Sequence, residues 1–370
     1  MFINTMGLIL ADHRRIQLGE LSRPRALASV PFAGRYRIID FMLSNMVNSG
    51  MVKVGVIAQY KYKSLMDHLG TGSSWDLDRK NQGLNLLPPF INSFGQDIAG
   101  EMDDLSGLLD FFRINRYRYV LIANSNVVFN ATFNDFIARH EESGAHVSVL
   151  YNRDGTKYGS PSVILDLDRR GFMKDLLMNP QKTTSNRCSI GVIVLERELL
   201  IDLITEDVAR GEFDFSVESI LRRYRDLSIH GVEYKGILLR INSIPTYFES
   251  TMSLLEEKKR RDLFWSGLPV YTKVMDEAPA LYGPANQVKN SFISDGCLIN
   301  GTVSNSMLFR SVTVSDHAVV SNCIIMQGSY ISEGVELDHV ILDKNCVIRP
   351  GIKLVGHKEY PVVIGKGAIV

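Results

Sequence analysis

The feature that most constrains the fold is a six-residue repeat of apolar side chains in the last part of the chain. From about residue 288 onward, apolar residues recur six positions apart, and Ser, Asn, Asp and Gly fill the gaps. A period of six fits neither a helix nor a β-hairpin; it is typical of a hexapeptide β-helix, in which short strands stack on the rung below. An ordinary antiparallel sheet with coincidental spacing is the alternative. The registers are Ile293 and Ile299; Leu308, Val314 and Val320; Ile325, Ile331 and Leu337; Val335, Ile341 and Val347.

The chain up to about residue 255 has a different pattern, in which apolar runs alternate with segments of helical period. Continuous apolar runs suit strands that are buried on both faces. Residues 35–50 and 132–144 are predicted helices that end at Gly50 and Gly144. This alternation predicts an α/β, Rossmann-like domain with a mainly parallel sheet. The predicted strands are 6–10, 52–59, 118–129, 146–152 and 189–195.

A charged segment, 253–271, separates the two patterns and is predicted to be a connecting helix that ends near Gly267 and Pro269. We therefore expect three parts: an α/β domain at 1–255, a linker with a charged helix at 256–285, and a β-helix at 286–370.

Composition narrows the function classes. The 370 residues include 41 basic and 41 acidic side chains, so no overall field would attract nucleic acid or an anionic membrane. The four cysteines lack the spacing of a metal site, which leaves reduced thiols and no predicted metal. The first residues contain neither a signal peptide nor a membrane span, so we expect a cytoplasmic protein.

The turn after the first strand is unusual for a nucleotide site. Such turns hold glycines, because backbone N–H groups must approach the phosphate oxygens closely. Here the turn reads "ADHRRIQ" (11–17), which places a carboxylate and bulky side chains where phosphates would lie. Arg14 and Arg15 either bind an anion in this cleft or fill it.

Three segments, taken together, resemble the ADP-glucose pyrophosphorylase (glucose-1-phosphate adenylyltransferase) family. They are "VPFAGRYRIIDFMLSNMVNSGMVKVGVIAQY" (30–60), "GSSWDLDR" (72–79) and "LLPPF" (86–90). The resemblance implies a nucleotidyltransferase domain followed by a left-handed β-helix, which agrees with the two patterns described above.

The family's catalytic positions are replaced in this chain. Its first turn, AGGxGTRL, aligns with residues 11–18 and puts Asp12, His13 and Arg15 on three loop glycines. Gln17 then falls on the arginine that handles pyrophosphate, and Leu27 falls on the lysine of the family's KPA element.

The later motifs are replaced as well. The Mg²⁺-binding aspartate of LAGDH aligns with Ser125, and the lysine of EKP, which grips the sugar phosphate, aligns with Asn179. The second metal-binding aspartate, in YWRDVGT, aligns with Ser250. GTADA has no recognisable copy near 95–112, whereas "SIGVIVL" (189–195) matches a strand that supports the sugar pocket. The resemblance therefore implies little or no activity and no intrinsic cofactor, with Mg²⁺ only in a catalytic partner.

Other positions match the regulatory apparatus of the family. Arg25 and Arg37 align near the sites of phosphorylated effectors, and Arg349 offers a third cation from the β-helix. The alternative for these arginines is exposure to solvent or pairing with a carboxylate such as Asp40. The effector could be fructose bisphosphate, another sugar phosphate or inorganic phosphate. The candidate coupling loops contain Gln59, Tyr60, Trp75 and Asp76, for which a purely structural role is the alternative.

The function predicted from the sequence is that of a regulatory, largely non-catalytic subunit of a bacterial glucose-1-phosphate adenylyltransferase in glycogen biosynthesis. It would assemble with a catalytic paralogue, or with itself, as a tetramer. One alternative is an active nucleotidyltransferase that uses relocated groups such as Asp103, Asp104 and Arg14. The other is a hexapeptide acyltransferase that uses one of three histidines: His317, His339 or His357.

Overall fold

The computed structural model describes residues 4–12, 16–58, 61–87, 106–153, 163–180, 182–211 and 215–370. In these ranges the helices are α1 (Ile38–Asn48), α2 (Lys63–Leu69), α3 (Ser106–Ile114), α4 (Asn134–Ser143), α5 (Arg197–Arg210), α6 (Val217–Leu221), α7 (Ile244–Met252) and α8 (Glu257–Phe264). Single 3₁₀ turns are formed by Gly19–Leu21, Leu27–Ser29, Ser73–Trp75 and Ser253–Leu255.

The strands of the N-terminal domain follow the predicted apolar runs. They are β1 (Thr5–Leu10), β2 (Pro31–Phe32), β3 (Tyr36–Arg37), β4 (Lys53–Ile57), β5 (Gly83–Leu87), β6 (Tyr119–Asn124), β7 (Val127–Val128), β8 (Val147–Asn152), β9 (Val163–Leu167), β10 (Met173–Met178), β11 (Cys188–Glu196), β12 (Ile229–Glu233) and β13 (Leu239–Arg240). The predicted strand 118–129 is divided in two, because the turn at Ser125 and Asn126 separates β6 from β7.

The main sheet has nine strands, and its central path is β10-β9-β11-β6-β1-β4-β5, with β8 paired to β11 and β12 paired to β8. The prediction of a mainly parallel sheet holds for the half in which β1, β4, β5 and β6 pair in parallel. In the other half β11 runs antiparallel to β6, β8 and β9, so the whole sheet is mixed. β9 and β10 form a hairpin whose short turn forces antiparallel pairing, because a parallel pair needs a crossover of a dozen or more residues.

The C-terminal part is a left-handed parallel β-helix built of three five-stranded sheets. One sheet contains β14 (Leu281–Tyr282), β17 (Leu298–Ile299), β20 (Thr313–Val314), β23 (Tyr330–Ile331) and β26 (Val347–Ile348). The second contains β15 (Gln287–Lys289), β18 (Thr302–Ser304), β21 (Val319–Ser321), β24 (Glu336–Asp338) and β27 (Lys353–Val355). The third contains β16 (Phe292–Ile293), β19 (Met307–Leu308), β22 (Ile324–Ile325), β25 (Val340–Leu342) and β28 (Val362–Ile364).

The six-residue repeat marks the interior of this β-helix. Ile299, Val314, Val320 and Ile331 are fully buried inside it, as the repeat predicts. The register of Val335, Ile341 and Val347 behaves differently, because only Val335 faces the interior. Its other two members point outward, since their neighbours Leu342 and Ile348 fill the interior instead.

The helix between the two domains is shorter than predicted. Helix α8 ends at Phe264, and the chain then runs in extended form along α1 toward β14. The stack of rungs begins at Leu281, inside the segment that we gave as the linker. No helix in the described ranges is long and apolar enough to cross a membrane.

An apolar cluster joins the two domains. The third sheet of the β-helix turns Met307, Ile324 and Ile341 toward the N-terminal domain, where they share a buried cluster with Phe32 and Tyr247. The Tyr247 hydroxyl, fully buried, donates a hydrogen bond to the carbonyl of Pro31 at 2.8 Å. The domains thus meet through a continuous core, and side chains from both reach the junction.

Candidate functional site

The cleft at the carboxyl ends of β1 and β6 is where an open α/β sheet binds ligands. Ser125 follows β6 and is 2% exposed, and its hydroxyl donates to the carbonyl of Ala11 at 3.1 Å. Asp12, next in the turn, is half-buried. His13, Arg14, Arg15, Gln59, Tyr60, Asp103 and Asp104 lie outside the described residues.

The second position of a family metal ligand is also a buried serine. Ser250 lies on α7, is 6% exposed, and donates to the carbonyl of Arg240 at 3.1 Å. Mg²⁺ is bound through carboxylate oxygens. The residues at these two positions therefore do not fit the Mg²⁺ that the aligned aspartates of the family hold. Among the described residues, no group of three His, Cys, Asp or Glu side chains could hold a metal ion.

The other substituted positions that the structure describes carry no cation into the cleft. Gln17 is exposed, and Leu27 is 3% exposed within the apolar cluster that joins the domains. Asn179 is exposed after β10 and has a left-handed backbone, with φ of +50°. None of these side chains can replace the charge of the arginine or the lysines with which they align.

Polar side chains in the cleft bond to one another. The Asn126 amide donates to Asn242 Oδ1 at 2.7 Å, and the buried Arg240 guanidinium donates to Asn152 Oδ1 at 2.8 Å. Asn124 donates to a carboxylate oxygen of Glu218 at 3.2 Å. Buried polar groups that already have partners gain little from a ligand.

A second site, here called the junction pocket, lies between the two domains. Five of its lining residues are cationic, and none of those described is acidic. The lining residues are Pro31, Gly34, Arg35, Tyr36, Arg37, His68, Lys273, Met275, Phe309, Arg310, Gln327 and Lys344.

The cations of the junction pocket are held in an unfavourable environment. Burial, and then the neighbouring charges of Arg37 and Arg25, lowers the pKa of Lys344 to about 7. Burial also lowers the pKa of Arg37, to about 10, and that of Arg310. Arg310 is 6% exposed, and its Nε has no hydrogen-bond partner among the described residues. A bound anion would relieve both the repulsion and the lost solvation.

The three arginines proposed as effector ligands occupy different places. Arg37 lines the junction pocket. Arg25 is 3% exposed and forms a bidentate ion pair with Asp343 of the β-helix, with both N···O distances at 2.9 Å. Its carboxylate partner is thus Asp343, not Asp40. Arg349 is exposed on the last rung and does not line the pocket.

Sequence reasoning missed most of the pocket, although one signal was present. Arg310, Gln327 and Lys344 each stand two residues after a paired strand residue, namely Leu308, Ile325 and Leu342. They therefore form a column on successive rungs, which the repeat could have indicated. Further residues that were missed are Arg35, His68 and Lys273.

The loop with Trp75 and Asp76 is anchored by the buried Trp75 side chain. The Trp75 ring is 1% exposed and meets the His68 ring edge-on, with ring centroids 5.8 Å apart. Asp76 has a left-handed φ of +53° and pairs with Arg79. This geometry matches the structural alternative for the loop, and it also links Trp75 to a residue of the junction pocket.

The histidines of the acyltransferase alternative are dispersed. His317 and His357 are exposed, whereas His339 occupies a corner with φ of +51° and packs on Phe248, with ring centroids 6.0 Å apart. His339 Nδ1 lies 3.0 Å from Asp338.

Comparisons with known proteins agree with this architecture. The nucleotidyl transferase family model matches residues 6–231, and the model for the GlmU-like C-terminal hexapeptide matches residues 278–360. The chain belongs to the glucose-1-phosphate adenylyltransferase family.

Members of this family with two different names are similar to the chain. "Glycogen biosynthesis protein GlgD" of Geobacillus stearothermophilus is 39% identical over 366 residues, 98% of this chain and 96% of the relative. The protein of that name from Bacillus subtilis (strain 168) is 35% identical over 370 residues, 100% and 98% of the two chains. "Glucose-1-phosphate adenylyltransferase" of Thermotoga maritima is 31% identical over 322 residues, 86% of this chain and 76% of the relative.

Proposed function

We propose that this family member is a regulatory, largely non-catalytic subunit of glucose-1-phosphate adenylyltransferase in bacterial glycogen biosynthesis. The observation that carries the proposal is the pair Ser125 and Ser250. Both stand where the family has metal-binding aspartates, and both are buried and bonded to backbone carbonyls.

The size of the expected loss of transition-state stabilisation supports this assignment. Adenylyl transfer depends mostly on positioning and on neutralising phosphate charge with metal ions and cations. A single catalytic donor is often worth about 3 to 4 kcal/mol of transition-state stabilisation. Gln17, Leu27 and Asn179 supply no cation, and the serines supply no metal ligand, so the deficits accumulate.

We propose further that the junction pocket binds a phosphorylated sugar or inorganic phosphate as the effector. Arg37 is the residue that the resemblance and the pocket have in common, and Arg310 and Lys344 add desolvated positive charge beside it. Nearby, the ion pair between Arg25 and Asp343 joins the N-terminal domain to the β-helix. An anion there would contact both domains at once, which suits a signal that must reach a partner.

The partner in this proposal is a catalytic paralogue in a cytoplasmic hetero-oligomer, with Mg²⁺ only at the paralogue's site. A homo-oligomer is the alternative assembly. Uniform charge balance, with 41 basic and 41 acidic residues, supports neither nucleic acid nor membrane as a partner.

The test is to purify this chain alone and together with the catalytic subunit, and to measure ADP-glucose formation. We expect negligible turnover from this chain, co-purification of the two subunits, and a changed maximal rate or effector response in the mixture. Fructose 1,6-bisphosphate and inorganic phosphate are the probes for the effector. Substantial Mg²⁺-dependent ADP-glucose formation by this chain alone would overturn the proposal.

A matched pair of variants tests the pocket in the same assay. Arg310→Met should reduce the effector response of the mixture, whereas Arg349→Met, which changes an exposed arginine outside the pocket, should not.

A further inference from the structure

Helix α2 is held in place by the same cations that line the junction pocket. The Arg37 guanidinium donates to the carbonyl and the hydroxyl of Ser64, at 2.6 and 3.0 Å. The Lys273 ammonium donates to the carbonyl of Asp67 at 2.8 Å. This last carbonyl lies in the final turn of α2, where backbone carbonyls lack partners within the helix. Two pocket cations therefore stabilise α2.

A buried carboxylate organises the same region. Asp40 is fully buried and has three partners: His68 Nε2 at 2.6 Å, the Thr272 hydroxyl at 2.6 Å and the Arg37 backbone N–H at 2.9 Å. These partners come from α2, from the linker and from the segment before α1. A carboxylate without access to water requires such partners, so Asp40 keeps these three segments in register.

Movement of α2 would change the packing around Trp75. His68, near the end of α2, meets the Trp75 ring directly, and the indole N–H has no hydrogen-bond partner among the described residues. Trp75 also shares an apolar cluster with Ala11 and Ala58, which follow β1 and β4 at the cleft. Within the described ranges no polar bond fixes the indole, so its position depends on packing against His68 and the apolar cluster.

Binding of an anion would compete with α2 for these cations. A guanidinium or ammonium group that bonds to a phosphate gains an attraction between opposite charges, which a neutral carbonyl acceptor cannot supply. An anion in the pocket would therefore draw donors away from the Ser64 and Asp67 carbonyls.

We propose that an anion entering the junction pocket releases helix α2 by drawing Arg37 and Lys273 away from it, and that the release shifts Trp75. The inference rests on the ligand site proposed above, but the link from Lys273 through α2 to Trp75 consists of contacts within the chain and can be tested without any ligand. Asp40 and His68 are positioning residues in this link.

The test uses Trp75 as a reporter. The chain has two tryptophans, and the other, Trp265, is 65% exposed, so Trp265→Phe leaves Trp75 as the single source of tryptophan fluorescence. In this background, Lys273→Met removes one tie on α2. Lys289→Met, at an exposed lysine on β15, is the matched control.

The first measurement needs no ligand. In Lys273→Met we expect about tenfold faster amide exchange within 63–70, and stronger acrylamide quenching of Trp75. The Lys289→Met control should show the same exchange and quenching as the Trp265→Phe parent. If Lys273→Met leaves both quantities unchanged, the proposed link is wrong.

The second measurement adds inorganic phosphate or fructose 1,6-bisphosphate, with binding measured independently by calorimetry. We expect the anion to reproduce the faster exchange and stronger quenching in the Trp265→Phe parent, and to cause a smaller further change in Lys273→Met. Binding without any change at α2 or Trp75 would overturn the release mechanism and leave the proposed effector site intact. Absence of binding, together with an effect of Lys273→Met, would overturn the effector site and leave the link from α2 to Trp75 intact.

Discussion

The cleft of the N-terminal domain and the junction pocket differ in the charge of their buried polar groups and in how most of these groups are partnered. In the cleft, Ser125, Ser250 and Asn126 have hydrogen-bond partners inside the chain. In the junction pocket, Arg310 has a buried Nε without a partner in the described structure, and Lys344 has its pKa lowered to about 7. Buried groups without partners cost free energy that a ligand can recover. The comparison supports the anion site that we propose at the junction.

The junction also contains one cation that is fully compensated. Arg25 lies beside the pocket cations, and its bidentate pair with Asp343 gives it a carboxylate partner, whereas Arg37 and Lys273 bond to neutral oxygens of α2. This contrast within one interface yields the prediction with the largest effect.

Asp343→Asn should lower the free energy of unfolding by about 3 to 5 kcal/mol, because it leaves the Arg25 charge buried and unpaired. Urea denaturation of the purified chain measures this loss. Adding Arg25→Met to the Asp343→Asn variant should restore much of the stability, because it removes the unpaired buried charge. Asp316→Asn, at an exposed position on the β-helix, is the control. A loss below about 1 kcal/mol would mean that the pair is solvated, contrary to its burial.

Arg310→Met should weaken binding of phosphate or fructose 1,6-bisphosphate roughly ten- to a hundredfold, the equivalent of about 1.5 to 3 kcal/mol for a charge-assisted hydrogen bond. Isothermal titration calorimetry measures the affinity. Arg349→Met removes the same charge from an exposed place outside the pocket and should leave the affinity within about twofold. Equal losses in both variants would show that net charge, rather than the pocket, determines binding.

Lys344 should make stability depend on pH. Its pKa is lowered in the folded state, so between about pH 7 and its ordinary value of 10.5 the unfolded chain binds more protons than the folded chain. Stability then rises with pH in this window, by at most about 1.4 kcal/mol per pH unit, and the penalty is complete below pH 7. Lys344→Met should remove this slope in denaturation measured from pH 7 to 9. An unchanged slope would place the titrating group elsewhere.

The same titration should affect binding, because an anion favours the charged form of Lys344. Affinity for phosphate should therefore fall as pH rises above 7, and Lys344→Arg should flatten the dependence. Inorganic phosphate changes its own charge near pH 7, so the variant and the wild-type chain are compared at each pH with the same probe.

The sequence predicted those parts of the fold that depend on local periodicity. Val314 and Val320 lie inside the β-helix because a six-residue repeat directly encodes which side chains face inward. Ile341 belongs to the same repeat yet faces the N-terminal domain, because a repeat cannot indicate which outer face another domain covers. The antiparallel pairing of β11 was likewise invisible, since apolar runs specify burial and not strand direction.

The junction pocket was less accessible to prediction because its residues come from distant parts of the chain. Arg25 pairs with Asp343, 318 positions away, whereas reasoning from neighbouring residues suggested Asp40. The column of Arg310 and Lys344 repeats with the rungs and could have been found. Lys273 could not, because its place depends on how the extended linker crosses α2.

The smallest expected effect concerns the cleft. Ser250→Ala removes one hydrogen bond to the Arg240 carbonyl and should lower the free energy of unfolding by only about 1 kcal/mol. If the cleft takes no part in catalysis, the mixture of this chain with a catalytic subunit should keep its rate of ADP-glucose formation and its effector response. Thr251→Ala, at the adjacent buried position of α7, controls for general effects on the helix. A selective loss of rate in Ser250→Ala would mean that this serine acts on a bound nucleotide or sugar, and the contrast between an inert cleft and a binding junction would then fail.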